Sequence, residues 1–389
     1  MLRLLHTADV HLGARHTDLG ERATVLRERQ FAAFHASADV AMNQGVDVFL
    51  VAGDLFDSNT QPRRSVERVA AELGRLTRAG IRTVIIPGTH DVYDGASIYR
   101  AYDLASMSRS ASDWVVVLTP YVPEVVFPPL DLVIYGRVFD AKRSPRSPLA
   151  GVDVRADPRA AWKVGMVHGS LLIPGKTESD TVVFTEDEIA RSGFDYLALG
   201  HWHSAMEGRA GLTSYAYSGA PEPVALDQEG AGHVLVVTLD ESEGSHKVEI
   251  EAKRVGQTNF EKLDVEISTV KSQPDLIDHI GRHADADLVL AVRLVGLCPD
   301  ELDLDLDEVE RALASSFLRL RVRDDTIPAV PDATPPPPDT VIGAFSLEID
   351  RRLAQLAGSN DPAHIAEADE LRDVQRLGRH LLEGRQVTL

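Results

Sequence analysis

Short apolar runs that end in polar residues recur through about the first 200 residues of the chain. Each run is rich in Val, Ile and Leu and stops at Gly, Asp or His. This pattern predicts buried parallel strands with polar side chains at their carboxyl ends, the edge where open α/β sheets build ligand sites. The predicted strands are Asp47–Ala52, Thr83–Ile86, Val164–Val167 and Tyr196–Leu199.

Helical periodicity separates these strands. Apolar residues recur at helical spacing over 21–44 and 64–79, and the two stretches stop at Gly45 and Gly80, as helices commonly do. Thr185 followed three residues later by Glu is typical of a capping box that opens another helix.

The pattern changes after the last of these helices. From Thr213 to about Val255, strand-like runs alternate with turns, which predicts a second sheet closing the domain. Residues 259–325 mix strand and helix candidates, as in a small α+β module. The run Pro335–Pro338 predicts a semi-rigid spacer, and apolar residues recur at helical spacing on both sides of Pro362, which predicts a helical hairpin.

These boundaries predict four parts. They are a catalytic domain over 1–255, a small α+β capping domain over 256–326, a Pro-rich linker over 327–340 and a C-terminal helical partner-docking segment over 341–389.

Composition narrows the class of protein. With 44% hydrophobic and 26% charged residues in 389, and no apolar run long enough to cross a bilayer, the chain is expected to be globular and not a membrane protein. The N-terminal apolar stretch is too short for a signal peptide, so a cytoplasmic location is expected. The single cysteine, Cys298, excludes an internal disulfide and a cysteine metal cluster within the chain. A metal would therefore need His and Asp ligands.

Five polar motifs follow the strand-like runs in a fixed order. Each motif alone is weak evidence, but five independent coincidences are improbable. Carboxylate and imidazole ligands suit Mn²⁺, Fe²⁺ or Zn²⁺, and two such ions held about 3.5–4 Å apart suit phosphoryl chemistry, because they polarise the phosphate and activate a water. The motifs are Asp9-Val10-His11, Gly53-Asp54, Gly88-Thr89-His90-Asp91, His168-Gly169 and Gly200-His201-Trp202-His203.

This order of motifs resembles the signature of calcineurin-like metallophosphoesterases. Residues 6–13, 53–57 and 217–223 resemble more narrowly the SbcD/YhaO type of DNA-repair exonuclease. The resemblance covers roughly 1–255. It implies an α/β fold: a four-layer α-β-β-α sandwich with a small α+β capping domain and a C-terminal helical hairpin.

The resemblance also implies a metal-ligand set. Thr89 departs from the family, which normally has Asn there, and a Thr hydroxyl is shorter and a poorer neutral ligand. The second metal is therefore expected to bind more weakly. Asp9, His11 and His203 would hold the first ion, Asp54 would bridge the two, and His168 and His201, with Thr89, would hold the second.

Carried over in the same way, His90 would lie beside the scissile phosphate and protonate the leaving oxygen or stabilise the transition state, while Asp91 would orient His90. His6 and His16 flank the first motif and are expected to be supporting or surface residues. Arg137, Lys142, Arg143 and Arg146 form a basic patch that could meet a DNA backbone or be a solvated loop. No substrate-binding residue is assigned.

Net charge bears on the substrate. A formal charge of −20 argues against a free-standing nucleic-acid binder. Two divalent ions would bring four positive charges against the two negative charges of Asp9 and Asp54, so a phosphate could still be attracted locally.

The leading interpretation is a metal-dependent phosphodiesterase, a DNA exonuclease or endonuclease subunit in DNA repair that uses two divalent ions, with Mn²⁺ favoured over Fe²⁺, Zn²⁺ or Mg²⁺. Its expected partners are DNA and an SMC-like coiled-coil ATPase of the SbcC/YhaN type, with a homodimer as another assembly. Two alternatives stay open: a small-molecule (nucleotide) phosphoesterase, and a nuclease-impaired scaffold subunit that has lost its second metal through Thr89.

Overall fold

The computed structural model describes residues 1–16, 23–144, 146–177, 182–223, 228, 230–242, 245–299, 302–327, 336–358, 361–382 and 384. They form two compact units, Met1–Thr258 and Asn259–Leu389. Within these described ranges, no helix is both long and apolar enough to span a bilayer. Most of the predicted linker, including Pro335, lies outside the described residues.

The first six-stranded sheet, sheet 1, is built around the N-terminal strand. Its first four strands in sequence run parallel to their neighbours, and a long antiparallel hairpin continues the sheet beyond β1. In spatial order the strands are β14 (Ser245–Arg254), β13 (His233–Ser242), β1 (Leu2–Thr7), β2 (Val48–Ala52), β3 (Arg82–Ile86) and β4 (Val115–Val117).

The second six-stranded sheet, sheet 2, repeats this plan. Four central strands are parallel and an antiparallel strand closes each edge. In spatial order the strands are β11 (Met206–Ala210), β12 (Thr213–Tyr217), β10 (Tyr196–Gly200), β7 (Trp162–His168), β6 (Leu132–Arg137) and β5 (Glu124–Phe127), while β8 (Ser170–Leu171) and β9 (Val183–Phe184) pair separately.

Helices flank the sheets of the first unit. The sequence prediction of the two long helices and of the Thr185 capping box is confirmed, since Glu188 and Thr185 exchange side-chain to backbone hydrogen bonds at the start of α5. The helices are α1 (Ala23–Gln44), α2 (Arg63–Arg78), α3 (Ile98–Ala101), α4 (Leu104–Met107) and α5 (Glu186–Ser192).

Alternation along the strands divides the core. In β2, Phe49 and Val51 pack with α1 and α2, whereas Val48, Leu50 and Ala52 belong to a separate cluster that also contains residues of sheet 2. A third cluster joins sheet 2 to α5. Side chains of successive strand residues point to opposite faces of the sheet. A fully apolar strand can therefore pack against a helix on one face and against the other sheet on the opposite face. The first unit is thus a mixed α/β fold whose sheets are flanked by helices.

The expectation of a separate sheet after Thr213 is wrong. β12 extends sheet 2, whereas β13 crosses over and pairs antiparallel with β1 in sheet 1. The alternation correctly indicated strands, but it carries no information on which strand will be the neighbour. The sequence pattern also missed β4, β5 and β6, which are short and lie among several prolines.

The second unit contains a three-stranded parallel sheet and four helices among its described residues. Leu276, Ile280 and Val309 of the helices share one apolar cluster with the sheet. The third strand, β17, was not predicted. The elements are β15 (Asn259–Glu266), α6 (Gln273–Gly281), β16 (Asp285–Val295), α7 (Leu306–Leu313), β17 (Phe317–Asp324), α8 (Val341–Leu356) and α9 (Pro362–Leu382).

The last two helices agree with the predicted periodicity. Thr340 caps α8 through a hydrogen bond to the Gly343 amide, and α9 begins at Pro362, where proline is favoured because its missing N–H would be unpaired anyway. The helices pack on each other, and Gln375 donates a 2.7 Å hydrogen bond to Asp350.

Candidate metal centre

Loops that follow five strands meet at one end of the first unit. The loop after β1 is tied to the loop after β2, because the Asp9 amide donates to Gly53 O at 3.1 Å and the His11 amide donates to Asp54 O at 3.0 Å. From the other sheet, the His201 amide donates to both carboxylate oxygens of Asp9 at 3.0 Å. The parallel strand ends therefore bring the predicted motifs together.

Four of these motif residues have left-handed backbone conformations. Asp9, His11 and Asp54 have φ values of 53°, 49° and 51°, and His201 has 104°. Such conformations cost about 1–3 kcal/mol each for residues other than glycine and cluster at functional sites, where the surrounding structure holds them in place. The geometry of the centre is therefore maintained at a cost in local stability.

Two glycines permit the close approach of the loops. A Cβ on Gly53, whose φ is +96°, would lie 2.2 Å from His168 Nδ1, and a Cβ on Gly88 would lie 2.2 Å from Asp54 Oδ1. Both are far inside van der Waals contact, so a side chain at either position would push the ligand candidates apart.

Among the described residues, two of the three groups of ligand candidates share Asp9. In each of these two groups one ligand atom per residue lies within 4.8 Å of the others, a separation compatible with bonds of about 2.0–2.2 Å to one ion. All these side chains except His203 are buried. The groups are Asp9, His11 and His203, and Asp9, Asp54 and His168.

His168 shows that this donor set fits a cation. Its Nδ1 donates to Ala52 O at 3.0 Å, so in the neutral ring Nε2 carries a lone pair. That nitrogen is buried, has no aligned hydrogen bond and lies 3.1 Å from Asp54 Oδ2, another electron-pair donor. Two such donors face each other stably only when a proton or a metal ion lies between them.

The charges of the centre are strongly coupled. Burial raises the pKa of Asp9 to about 6, against the pull of His168. Burial would lower the pKa of His168, but attraction to Asp54 and the contact with it outweigh this and raise the pKa to about 9. For Asp54, burial is outweighed by the attraction of His168, and the pKa of this carboxyl lies far below its usual range.

Thr89 and His201 lie beside the second group. The Thr89 hydroxyl donates a long 3.4 Å hydrogen bond to Asp54 Oδ2. The His201 ring is edge-on to His168, with centroids 5.2 Å apart, but it belongs to neither group of described ligand candidates. The ligand roles of both residues stay predictions.

His90 is half exposed and stands edge-on to His11, with ring centroids 4.6 Å apart. Its Nδ1 donates to the backbone oxygen of Asp57 at 3.0 Å. This bond fixes the ring and leaves Nε2 available to a substrate.

Among the described residues the Asp91 carboxylate makes no hydrogen bond to the His90 ring, and its role in orienting that ring stays a prediction. Its carboxylate accepts from the amides of Gly88 at 2.7 Å and Phe56 at 3.1 Å, and from the Tyr99 hydroxyl at 2.5 Å. Burial raises the pKa of Asp91. Because Asp91 accepts from Gly88 and from Phe56, it joins the loop that carries His90 to the loop after β2. The His90 ring itself is held by the backbone oxygen of Asp57.

Sequence reasoning missed two supporting residues. Asp57 Oδ1 lies 3.4 Å from Nδ1 of His11 and can fix the tautomer that presents Nε2 to a metal. The side-chain amide of Gln228 is hydrogen-bonded to Nδ1 of His203 at 2.7 Å. Asp57 lies three residues after Asp54, and this spacing was the available signal. Nothing near Gln228 in the sequence indicated its contact.

The flanking candidates have structural roles. His6 is fully buried and bonds to Tyr196 Oη and to Leu199 O across the sheets, and burial lowers its pKa to about 3. His16 bonds to the side chain of Gln30 at 3.1 Å. In the predicted basic patch, Arg137 is half-buried and its Nε has no hydrogen-bond partner among the described residues, whereas Lys142, Arg143 and Arg146 are exposed.

The fold and the centre define a metal-binding α/β protein with its ligand candidates at facing strand ends. The sequence profile of the calcineurin-like phosphoesterase family matches residues 2–205, and the chain belongs to this family. Its members are hydrolases that cleave phosphoester bonds with divalent metals.

Three curated relatives place the chain further. It is 26% identical to the uncharacterized metallophosphoesterase YhaO of Bacillus subtilis, over 72% of this chain and 66% of that protein. It is 30% identical to the DNA double-strand break repair protein Mre11 of Aeropyrum pernix, over 59% of this chain and 55% of that protein. The SbcD component of the Escherichia coli nuclease SbcCD is 24% identical, over 61% and 65%. The chain thus spans less than two thirds of the length of these relatives.

Proposed function

We propose that the chain is a DNA exonuclease or endonuclease subunit of DNA repair that hydrolyses phosphodiester bonds with two divalent ions, Mn²⁺ preferred. The observation that carries the proposal is the meeting of Asp9, His11, Asp54, His168 and His203 at one point, with His90 accessible beside them. The similarity to Mre11, a DNA double-strand break repair protein, and to a component of the nuclease SbcCD supports DNA as substrate.

In this proposal Asp9, His11 and His203 would hold one ion, His168 and His201, with Thr89, would hold the other, and Asp54 would be a ligand to both. Bound divalent ions would polarise the phosphate and lower the pKa of a water for in-line attack. His90 lies by the phosphate and moves a proton at Nε2, since its Nδ1 is bound to Asp57 O. Asp57 also orients His11 through Nδ1.

We further interpret the first unit as a four-layer α-β-β-α sandwich. Separate apolar clusters join helices to sheet 1, sheet 1 to sheet 2, and sheet 2 to α5, which supports this interpretation. Residues 256–326 would be the capping domain, and 341–389 the partner-docking segment.

The decisive experiment is digestion of end-labelled duplex and single-stranded DNA with and without Mn²⁺, with Asp54→Ala as the control. We expect metal-dependent cleavage by the wild type and none by the variant. Cleavage of mononucleotides or cyclic nucleotides without cleavage of DNA would support the small-molecule phosphoesterase, the alternative that the net charge of −20 favours. Absence of both activities, with one ion bound, would support the scaffold.

The helices α8 and α9 are proposed to dock on an SMC-like coiled-coil ATPase of the SbcC/YhaN type. They carry exposed apolar side chains, among them Leu347 at 55% and Ile365 at 50%, that lack cover within the described residues. Leu347→Glu with Ile365→Glu should abolish co-purification with that ATPase and leave cleavage of a model diester unchanged. Retained association would place the docking surface elsewhere, and self-association lost in the variant would indicate a homodimer.

A further inference from the structure

A cleft of about 850 Å³ runs along the N-terminal parts of α1 and α2. Among the described residues, four arginines line it, Arg15, Arg27, Arg64 and Arg68, against two carboxylates, Glu28 and Asp57. We call this surface the arginine cleft. The described residues of its lining have a formal charge of +2 in a chain whose net charge is −20, so they are a local exception to the acidic character of the protein.

Within the part of the chain that the structure describes, three of these four arginines form no ion pair with a carboxylate. Among the described residues, Arg15 and Arg64 form no ion pair with a carboxylate, and Arg27 donates only to neutral oxygens, Arg15 O at 3.0 Å and Thr24 Oγ1 at 2.9 Å. Arg63, the neighbour of Arg64 on α2, by contrast pairs with Glu67 at 2.8 Å.

The cleft is held in shape before any ligand arrives. Arg68 makes two parallel 3.0 Å hydrogen bonds to the Glu28 carboxylate and lies over the Phe31 ring at 3.7 Å from its centroid. Arg27, bound to the Arg15 carbonyl, fixes the loop that carries Arg15. Less side-chain entropy is then lost on binding.

The cleft is continuous with the candidate metal centre through one residue. Asp57 lines it and also accepts the Nδ1 hydrogen bond of His90 at 3.0 Å through its backbone oxygen. A chain molecule whose phosphate lies beside His90 can therefore extend directly into the arginine cleft.

We infer that the arginine cleft binds the sugar-phosphate backbone of the nucleic-acid strand next to the scissile phosphate. Guanidinium forks match phosphate oxygens in charge and geometry, and backbone contacts of this kind supply most sequence-independent affinity. A mononucleotide, with its phosphate at the metal centre, would leave these arginines unused. The inference rests on the proposed nuclease function and names the surface that reconciles it with an acidic chain.

The test compares the wild type with a double variant that carries both Arg15→Gln and Arg64→Gln. The control is Arg63→Gln, the adjacent residue on α2, which pairs with Glu67 and does not line the cleft. With saturating Mn²⁺, kcat/KM is measured on bis(p-nitrophenyl) phosphate and on a labelled single-stranded oligonucleotide, the latter between about 50 and 200 mM salt.

In the double variant the ratio of oligonucleotide to diester kcat/KM should fall about tenfold, since each exposed contact contributes roughly threefold. The slope of log kcat/KM for the oligonucleotide against log salt concentration should become less steep by about 1.4, or about 0.7 for each lost phosphate contact. The control should keep both values. Arg15→Lys with Arg64→Lys, which preserves the charge, should keep the salt slope.

Three outcomes overturn the inference. An unchanged ratio and slope in the double variant, with oligonucleotide cleavage intact, refutes the cleft and leaves the nuclease function standing. An equal loss on both substrates shows that the arginines support the catalytic centre instead. A wild-type protein that cleaves the diester but no oligonucleotide refutes the nuclease function, and the cleft with it. Matching thermal unfolding midpoints establish that the variants are folded.

Discussion

Sheet 1 and sheet 2 end at the same centre but bring unlike chemistry to it. Sheet 1 supplies both carboxylates, Asp9 and Asp54, together with His11, whereas sheet 2 supplies only histidines, His168 and the two that follow β10. The two carboxylates repel each other, and the ion pair of Asp54 with His168 crosses between the sheets. The centre is thus complete only where the sheets pack face to face, and each sheet alone would hold an incomplete ligand set.

The largest effect should come from Asp54, the carboxylate of sheet 1 that is proposed to hold both ions. Asp54→Ala should lower phosphodiesterase activity by about 10³-fold or more, because a lost supporting residue alone typically costs about 10–100-fold and Asp54 is assigned to both ions. The fold should survive, since Asp54 lies at a strand end. Activity is followed on a model diester, with bound Mn²⁺ counted in parallel.

The matched comparison is His168→Ala in sheet 2, which should remove only one of the two bound Mn²⁺ ions. Near-normal turnover in Asp54→Ala would sink the two-metal assignment. Equal loss of both ions in the two variants would show that the sheets do not contribute separable sites.

A substitution of His90 tests whether this residue transfers a proton or binds a metal ion. His90→Ala should lower kcat by about 10²–10⁴-fold while metal content stays near normal, because its assigned role is general acid catalysis. The measurement is kcat on the model diester together with metal analysis of the same preparation. Loss of metal on this change would move His90 into the ligand set with His11 and Asp57, a grouping that the geometry permits.

Thr89 tests whether the second group is the weaker one. Its hydroxyl reaches Asp54 only at 3.4 Å, so it supports that group poorly. Thr89→Asn should move the Mn²⁺ activation curve about 10–100-fold lower in concentration with little change at saturation. Titration of both forms with Mn²⁺ during hydrolysis of a model diester gives the curves. Coincident curves would mean that the second site is already fully liganded, and an inactive variant would mean that the site is shaped around Thr89.

At neutral pH the smallest effect concerns the junction between the sheets and not the chemistry. His6 of β1 bonds to Tyr196 Oη at 2.8 Å and Leu199 O at 3.1 Å in sheet 2, and burial lowers its pKa to about 3 from 6.5. Its contribution to stability is fully present above pH 6.5, because only the unfolded state takes up a proton below it. The free energy of unfolding should fall by about 1.4 kcal/mol per pH unit from this residue as pH drops from 6.5 toward 3.

His6→Gln removes this titration and keeps a polar partner for Tyr196. Urea unfolding of both forms across this pH range should give a shallower acid slope for the variant. Parallel slopes would show that His6 is protonated in the folded protein and that the two sheets separate there more easily than the structure indicates.

Most of the secondary-structure elements that were predicted correctly could be predicted from the local order of apolar and polar residues. Apolar runs, periodicity and capping signals identified the central strands and long helices, since each depends on neighbours only a few residues away. The motif residues were likewise recognisable, because polar side chains directly after buried strands must lie at a sheet edge. Strand neighbours could not be derived in this way: β13 pairs with β1, more than 200 residues earlier in the chain.

The sequence by itself determined which residues are available for the centre: Asp9, His11, Asp54, His90, His168 and the pair after β10. The tertiary structure decided their partners. It assigned His90 to the Asp57 carbonyl and Asp91 to the amides of Gly88 and Phe56, and it brought Gln228 to His203. It also assembled the arginine cleft from residues up to about 50 positions apart. The physical reason is that hydrogen bonds and charge pairing depend on distances of a few ångströms, which are fixed only when two sheets and two helices have packed.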